Sequence, residues 1–183
     1  MADKQQQHGV TTYTIRSADG VAAFTVLPER GAFGSSLVLE TAQGPREMLH
    51  QHDFFWDKEW KSFPGGFPFL FPVCARIARD GQKGVYLIEG KQYELDIHGF
   101  GWHSAWEVVD DMDDAITLRL QASESTLAVY PFDFEVLLRF EIKGNEFVVQ
   151  PTITNRGDND MPYYAGFHPY LAMPPANEGK DKV

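Results

Sequence analysis

The chain has 183 residues, of which 43% are hydrophobic, 14% aromatic and 23% charged. This composition is typical of a folded globular domain and argues against a disordered chain. Sixteen lysines and arginines against 26 aspartates and glutamates give a formal charge of −10, which repels nucleic-acid phosphates and anionic lipid surfaces. We therefore predict a single domain over residues 1–183, with neither nucleic-acid nor membrane partners.

The cysteine count and the N-terminus indicate a compartment. Cys74 is the only cysteine, so an intramolecular disulfide and a cysteine-based zinc site are both excluded. The first nine residues lack the apolar core of a secretory signal, and no stretch approaches the ~20 apolar residues of a membrane-spanning helix. These features predict a soluble cytoplasmic protein with a flexible N-terminus over residues 1–9.

Alternation of apolar and polar residues is the main periodic signal. Ile116, Leu118 and Leu120, for example, fall on one face of a strand. In chain order, the predicted strands cover residues 11–16, 21–27, 36–39, 86–88, 92–95, 115–121, 134–142 and 146–154. Tight turns at residues 89–91 and 143–145 join neighbouring strands, and no long amphipathic helix is predicted. The pattern predicts an all-β fold, an antiparallel β-sandwich or barrel.

One long irregular stretch runs from about residue 44 to residue 84. It is too apolar for a solvated linker and too rich in proline for a central strand. Its aromatic residues are Phe54, Phe55, Trp56, Trp60, Phe63, Phe67, Phe69 and Phe71. We expect this stretch to pack over the sheet, either as one wall of a binding cleft or as a cover for a sheet edge.

Two histidines lie in motifs that are suited to sugar binding. His98 belongs to DIHGFGW (96–102) and His168 to YAGFHPY (164–170). Each has glycine nearby, where backbone can pass close to a ligand, and aromatic rings that can form an apolar floor. The alternative for either histidine alone is a purely structural role in the core or in a loop.

Arg76 ends an apolar run that begins at Gly65. An unpaired buried guanidinium would be costly, so its charge is predicted either to pair with a carboxylate or to face a ligand oxygen. The sequence leaves both roles open.

The order of these motifs resembles the aldose 1-epimerase (galactose mutarotase-like) family. The resemblance covers about residues 63–171. It rests on GFPFLFP (66–72) before Arg76-Ile77, on Tyr86 and Tyr93 before HGF (98–100) and Trp106, and on YPF (130–132) before GFHPY (166–170). It implies the galactose mutarotase-like β-sandwich and an isomerase that interconverts the α and β anomers of an aldose by acid/base ring opening.

The resemblance also implies roles for individual residues. His168 is the expected acid at the ring oxygen, His98 a second catalytic group that orients the ring oxygen and C1, and Arg76 a hydroxyl ligand. The further substrate-binding residues expected are Phe67, Trp102 and Tyr170. The implied partner is a monosaccharide, an aldose or a sugar phosphate, with no cofactor and no metal. Asp96 is expected to orient the His98 imidazole.

The chain departs from the family pattern in one important respect. The family's glutamate base lies well downstream of the His-Pro-Tyr motif and has no counterpart here. We therefore expect the N-terminal portion of a longer domain, an incomplete sandwich completed by self-association or by a missing C-terminal half. Residues 174–183 are expected to form a polar tail, and the chain alone is expected to be nearly inactive.

Two other functions compete with an epimerase. One is a non-catalytic carbohydrate-binding β-sandwich that uses the same aromatic residues and histidines for affinity alone. The other is a metal-dependent cupin-like barrel, which would need three or four histidine and glutamate ligands. His98 and His103 are five residues apart and would lie on opposite faces of a regular strand, which disfavours the metal barrel.

Overall fold

A computed structural model describes residues 1–60 and 62–172. The polar tail predicted for residues 174–183 lies outside them. In chain order, the elements are β1 (Asp3–Gln7), β2 (Val10–Arg16), β3 (Ala23–Leu27), a 3₁₀ turn (Pro28–Arg30), β4 (Phe33–Thr41), β5 (Gly44–Glu47), β6 (Phe69–Leu70), β7 (Ala78–Arg79), β8 (Gln82–Lys83), β9 (Val85–Ile88), β10 (Lys91–Glu94), β11 (Glu107–Asp111), β12 (Ala115–Gln121), α1 (Glu124–Val129), β13 (Phe134–Lys143), β14 (Glu146–Asn155) and β15 (Gly166–Phe167).

The strands form two main antiparallel sheets. One has five strands in the order β1-β2-β3-β4-β5, and the other has four in the order β11-β12-β13-β14. Three short pairs, β9 with β10, β7 with β8, and β6 with β15, complete the fold. The predicted all-β antiparallel sandwich is confirmed.

The strands β2, β3, β4, β9, β10, β12, β13 and β14 overlap the predicted ranges, whereas the polar strands β1, β5 and β11 and the shortest strands do not appear in the sequence prediction. Strand β12 matches its predicted range, and Ile116 and Leu118 on its inner face are fully buried. Strand β1 lies within the segment predicted to be flexible; it pairs with β2 although all of its residues are exposed. Because β1 has no alternating pattern, the sequence does not reveal it; backbone hydrogen bonds to β2 and exposed contacts such as Gln6 Nε2 to Thr11 Oγ1 place it in the sheet.

Aromatic rings join the two sheets. The Phe24 ring of β3 lies 4.8 Å from that of Phe140 on β13 and 4.4 Å from that of Phe147 on β14, between ring centroids. Phe24 and Phe140 are both fully buried. Tilted and offset ring pairs of this kind add to the free energy gained from the buried area alone.

The stretch from residue 44 to residue 84 packs against the sheets, as predicted. Phe55, Phe69 and Phe71 are at most 1% exposed. Phe71 contacts Tyr130 and Phe134, with ring centroids 5.9 and 5.1 Å away. The stretch therefore contributes core side chains even though it has little regular structure.

Strand β14 forms an open edge of the four-stranded sheet. None of its residues is buried, and within the described part of the chain no strand pairs with its outer side. An open edge agrees with the predicted incomplete sandwich, which stays a prediction. No helix among the described residues is long and apolar enough to cross a membrane.

The aromatic contact between the sheets gives a stability prediction. We expect Phe24→Ala to lower the free energy of unfolding by about 3–5 kcal/mol, because it removes a fully buried ring and leaves a cavity between the sheets. Urea denaturation followed by fluorescence measures this change. The control Tyr164→Ala alters a ring that is 74% exposed and should change stability by less than about 0.5 kcal/mol. Equal effects of the two substitutions would contradict this account of the core.

Candidate functional site

Three backbone segments meet beneath the candidate site. The His50 N–H donates to the Tyr170 carbonyl (2.8 Å), the Tyr170 N–H to the Gly66 carbonyl (2.9 Å), and the Gly66 N–H to the His50 carbonyl (2.7 Å). The His168 N–H donates to the Pro68 carbonyl at 3.2 Å. These bonds place the segment that carries His168 against the apolar run that precedes Arg76.

A glycine brings His98 to the same run. Phe71 and Gly99 form a β-bridge, and the N–H groups of Phe100 and Gly101 both donate to the Phe71 carbonyl at 2.9 Å. Gly99 has a φ of +66°, and a Cβ at this position would lie 2.7 Å from the Phe71 carbonyl carbon. Only glycine meets both conditions without strain.

The two imidazoles lie side by side. The ring centroids of His98 and His168 are 5.8 Å apart, with the rings inclined at 67°. Phe63 lies against both, at 5.0 Å from His98 and 6.0 Å from His168. Trp102 packs on Phe63 at 4.4 Å, and Tyr170 lies 5.0 Å from His168. The structure thus brings four of the predicted site residues, His98, His168, Trp102 and Tyr170, into one cluster.

The protonation state of His98 follows from its surroundings. Its Nδ1 lies 2.7 Å from the Cys74 carbonyl oxygen, and a carbonyl oxygen only accepts, so Nδ1 carries the hydrogen. Burial lowers the pKa of His98, the bond to Cys74 opposes this effect, and the positive charges of His168 and Arg76 lower the pKa further. Near pH 7 the imidazole is therefore neutral, with a lone pair on Nε2 that can accept a hydroxyl hydrogen.

The backbone at His98 is held in an unusual conformation. Its φ is +66°, in a left-handed region that non-glycine residues rarely occupy and that histidine enters more readily than most of them. The predicted orientation of His98 by Asp96 is wrong, because the Cys74 carbonyl takes the Nδ1 hydrogen. The charge of Asp96 instead raises the pKa of His103 against the larger effect of burial, which lowers it.

Arg76 lies beside the cluster. It is exposed, yet close enough for its charge to act on His98. It makes no hydrogen bond or ion pair within the described part of the chain, so the alternative of a structural ion pair is not seen there. It lines two clefts, of about 880 and 520 Å³. Neither His98 nor His168 lines either cleft, whereas Trp102 of the cluster lines the smaller one.

Phe67 lies elsewhere, as a result of its backbone bonds. Its N–H donates to the Gly34 carbonyl at 2.8 Å, and its own carbonyl accepts from Gly34 at 3.0 Å. This pairing turns the ring towards Phe24, Phe147 and Phe167. The structure therefore gives Phe67 a core contact, and Phe63 takes the place beside the histidines.

Three residues near the cluster had no assigned role in the sequence prediction. Phe63 belongs to a run of aromatics in which no local signal distinguishes one ring from another. His50 and His52 form a His-x-His pair, with ring centroids 4.9 Å apart. The spacing of this pair is visible in the sequence and could have marked it as a candidate ligand-binding feature. Among residues 1–60 and 62–172, no three or more histidine, cysteine, aspartate or glutamate side chains group closely enough to hold a metal ion.

Comparisons with known proteins agree with the fold and the motif order. The family model for aldose 1-epimerase matches residues 13–182. A Synechocystis protein of known structure is 32% identical with a TM-score of 0.76, over 87% of this chain and 54% of its own. A galactose mutarotase related enzyme from Lactobacillus acidophilus is 26% identical with a TM-score of 0.76, over 93% and 52%. The uncharacterized protein YphB of Escherichia coli is 29% identical over 60% of this chain and 37% of its own. The chain thus spans about half the length of these solved structures, and less of YphB.

The close approach at Gly99 gives a second prediction. Gly99→Ala should lower the free energy of unfolding by about 2–5 kcal/mol, because it combines a left-handed backbone with overlap against the Phe71 carbonyl. Thermal and urea denaturation measure the loss. The matched control is Gly144→Ala, where φ is +59° and no atom lies within 4 Å of the added Cβ. If both substitutions cost only the ~1–2 kcal/mol of the backbone term, the close approach does not constrain the fold.

The cations beside His98 give a third prediction. Arg76→Gln and His168→Phe should each raise the pKa of His98 towards its ordinary value, because each removes a charge that opposes protonation. NMR titration of the imidazole Cε1–H signals measures the shift. Stability should also fall as the pH drops below about 6.5, since the unfolded chain then binds a proton that the folded chain resists.

A control variant tests whether the loss of any cation, however distant, raises the pKa of His98. Lys91→Gln removes a cation that lies over the Tyr93 ring in the β9–β10 hairpin, and it should leave the pKa of His98 unchanged. If the His98 pKa stays fixed in both test variants, the two cations do not act on this imidazole.

Proposed function

Because the chain belongs to the aldose 1-epimerase family, we propose that its histidine cluster binds a free aldose and takes part in exchange between its α and β anomers. The observation that carries this proposal is the pair of imidazoles, 5.8 Å apart on an aromatic floor. Two imidazoles, which can accept or donate a proton, beside an apolar surface are what a sugar ring-opening site requires.

Ring opening assigns a role to each imidazole. A protonated His168 donates to the ring oxygen as the bond from C1 to that oxygen breaks, and the C1 hydroxyl loses its proton to a base. The open-chain aldehyde rotates about the bond between C1 and C2, and the ring then closes again as the two proton transfers run in reverse. The neutral His98, with Nε2 free to accept, orients a hydroxyl on the C1 side. Arg76 donates to hydroxyl oxygens, and Trp102 and Tyr170 pack against the sugar.

We propose that the described residues lack the general base, as the resemblance to the family led us to expect. No carboxylate among residues 1–60 and 62–172 hydrogen-bonds to His98 or His168. A positioned general base contributes about 10²- to 10⁴-fold to a rate. We therefore expect this chain to bind an aldose while accelerating anomer exchange only slightly.

The pair of imidazoles on an aromatic surface also favours a second candidate function, a carbohydrate-binding sandwich with no catalytic step. In that case the imidazoles and Arg76 would provide affinity alone. The two candidates differ in one measurable quantity, the rate of anomer exchange of a sugar that demonstrably binds.

Polarimetry on freshly dissolved α-glucose and α-galactose provides the test, with binding followed by NMR on the same sample. We expect the imidazole signals of His98 and His168 to move on addition of sugar. Arg76→Gln should weaken binding about tenfold, because it removes charged hydrogen-bond donors. The 183-residue chain should exceed the spontaneous rate of exchange only slightly.

Two results would change this assignment. Robust acceleration that His168→Ala abolishes would show that this chain supplies a base, and Asp96 and Glu178 would be the first carboxylates to substitute; Glu178 lies outside the described residues. Absence of binding by both sugars, or binding that moves neither imidazole signal, would rule out the sugar site.

A further inference from the structure

His50 and His52 share one face of their segment. They alternate with Leu49, which is buried, and Gln51, whose Nε2 donates to the Ser35 carbonyl. Leu49 and Gln51 therefore point inwards, whereas both histidines are exposed. Backbone bonds from His50 to Tyr170 and Gly66 hold this exposed face next to the segment of His168.

The exposed rings form a continuous row. Tyr170 lies 5.0 Å from His168 on one side and 6.0 Å from His52 on the other, between ring centroids. His52 stacks on Phe54 at 5.3 Å with an interplanar angle of 7°. Tyr170 is half-buried and lies between the two imidazoles, so the candidate sugar site continues past Tyr170 to His52.

We propose that His52 is a sugar-binding residue, which hydrogen-bonds a hydroxyl on the side of the sugar that faces away from His168 while the sugar packs on Tyr170. This inference rests on the proposed function, because it takes His168 to bind the ring oxygen. The hydroxyl opposite the ring oxygen of a pyranose is the one on C3.

The dimensions of the row suit a pyranose. The two centroid distances limit the His168 and His52 rings to a separation of about 11 Å. A pyranose held at its ring oxygen and its C3 hydroxyl by two hydrogen bonds of about 2.8 Å needs roughly 10 Å between the donor groups. Because the two centroid distances give an upper limit to this separation, the row admits one sugar ring and is too short for two.

The chemistry of His52 also suits a hydroxyl. A neutral imidazole has one donor and one acceptor nitrogen, and a hydroxyl both donates and accepts. The stacked Phe54 ring fixes the plane of the imidazole, which reduces the rotamer freedom lost on binding. Metal binding by the His-x-His pair is less well supported, because no third ligand lies close enough among the described residues.

The test combines a substitution with a matched change in the sugar. His52→Phe keeps a flat ring that can stack on Phe54 but removes both hydrogen-bonding nitrogens. NMR titration of the 183-residue chain with D-glucose and with 3-deoxy-D-glucose gives four dissociation constants. We expect His52→Phe to weaken glucose binding about 3- to 10-fold, the effect of one lost hydrogen bond, and to leave 3-deoxyglucose binding unchanged.

Two further variants make the result specific. The control His8→Phe alters another exposed histidine that stacks on an aromatic ring, that of Trp56 at 4.6 Å, and should leave both affinities unchanged. His168→Phe should weaken binding of both sugars, because the ring oxygen is present in each. Circular dichroism and thermal melting establish that each variant folds.

The outcomes separate this inference from the proposed function. If glucose binds and His168→Phe weakens it while His52→Phe does not, the role of His52 is overturned and the sugar site stands. Equal weakening of both sugars by His52→Phe would also overturn it, since the C3 hydroxyl would not be its partner. If the wild-type chain binds neither sugar, or His168→Phe changes neither affinity, the proposed sugar site itself fails.

Discussion

The close approach of Gly99 to the Phe71 carbonyl is the constraint on which the site depends. It joins the loop that carries His98 to the apolar run 66–72, and the opposite edge of that run pairs with the segment of His168. The run therefore acts as a common support for both imidazoles. A change of a few tenths of an ångström at Gly99 would alter the distance between them, because a packed interior transmits such shifts.

The two histidines of the cluster differ in burial and in hydrogen bonding. His98 is partly buried, and its Nδ1 hydrogen is held by Cys74, while His168 is exposed to solvent. Burial is the largest cause that lowers the pKa of His98, and the charges of His168 and Arg76 lower it further. The pair can therefore offer an acceptor and a proton donor to the same sugar ring.

Sequence patterns predict the apolar framework of this fold and only part of the site. Alternation identifies strands such as β12 and β13, because their inner faces are buried and their outer faces are not. It misses β1, which is polar on both faces and is held to β2 by backbone bonds and exposed side-chain contacts. The glycine-flanked motifs identify His98 and His168, whereas Phe63 and His52 join the cluster only through tertiary pairing. Phe67 shows the converse, since its backbone bonds to Gly34 turn the ring of a predicted site residue towards core residues such as Phe24.

The solvent exposure of the cluster limits how strongly it can interact with a ligand. His168 and His52 are both exposed, so hydrogen bonds from them to a ligand would compete with bonds to water and would contribute little net free energy each. The stacking surface of Tyr170 and Trp102 is only half-buried, and such a surface binds a sugar weakly and releases it quickly. Catalysis needs a more enclosed site than binding does, because proton transfer to a ring oxygen is favoured where water is excluded and charges interact strongly. A layer that covers the cluster and contributes a carboxylate would supply both conditions together, so the proposed binding does not require the proposed catalysis.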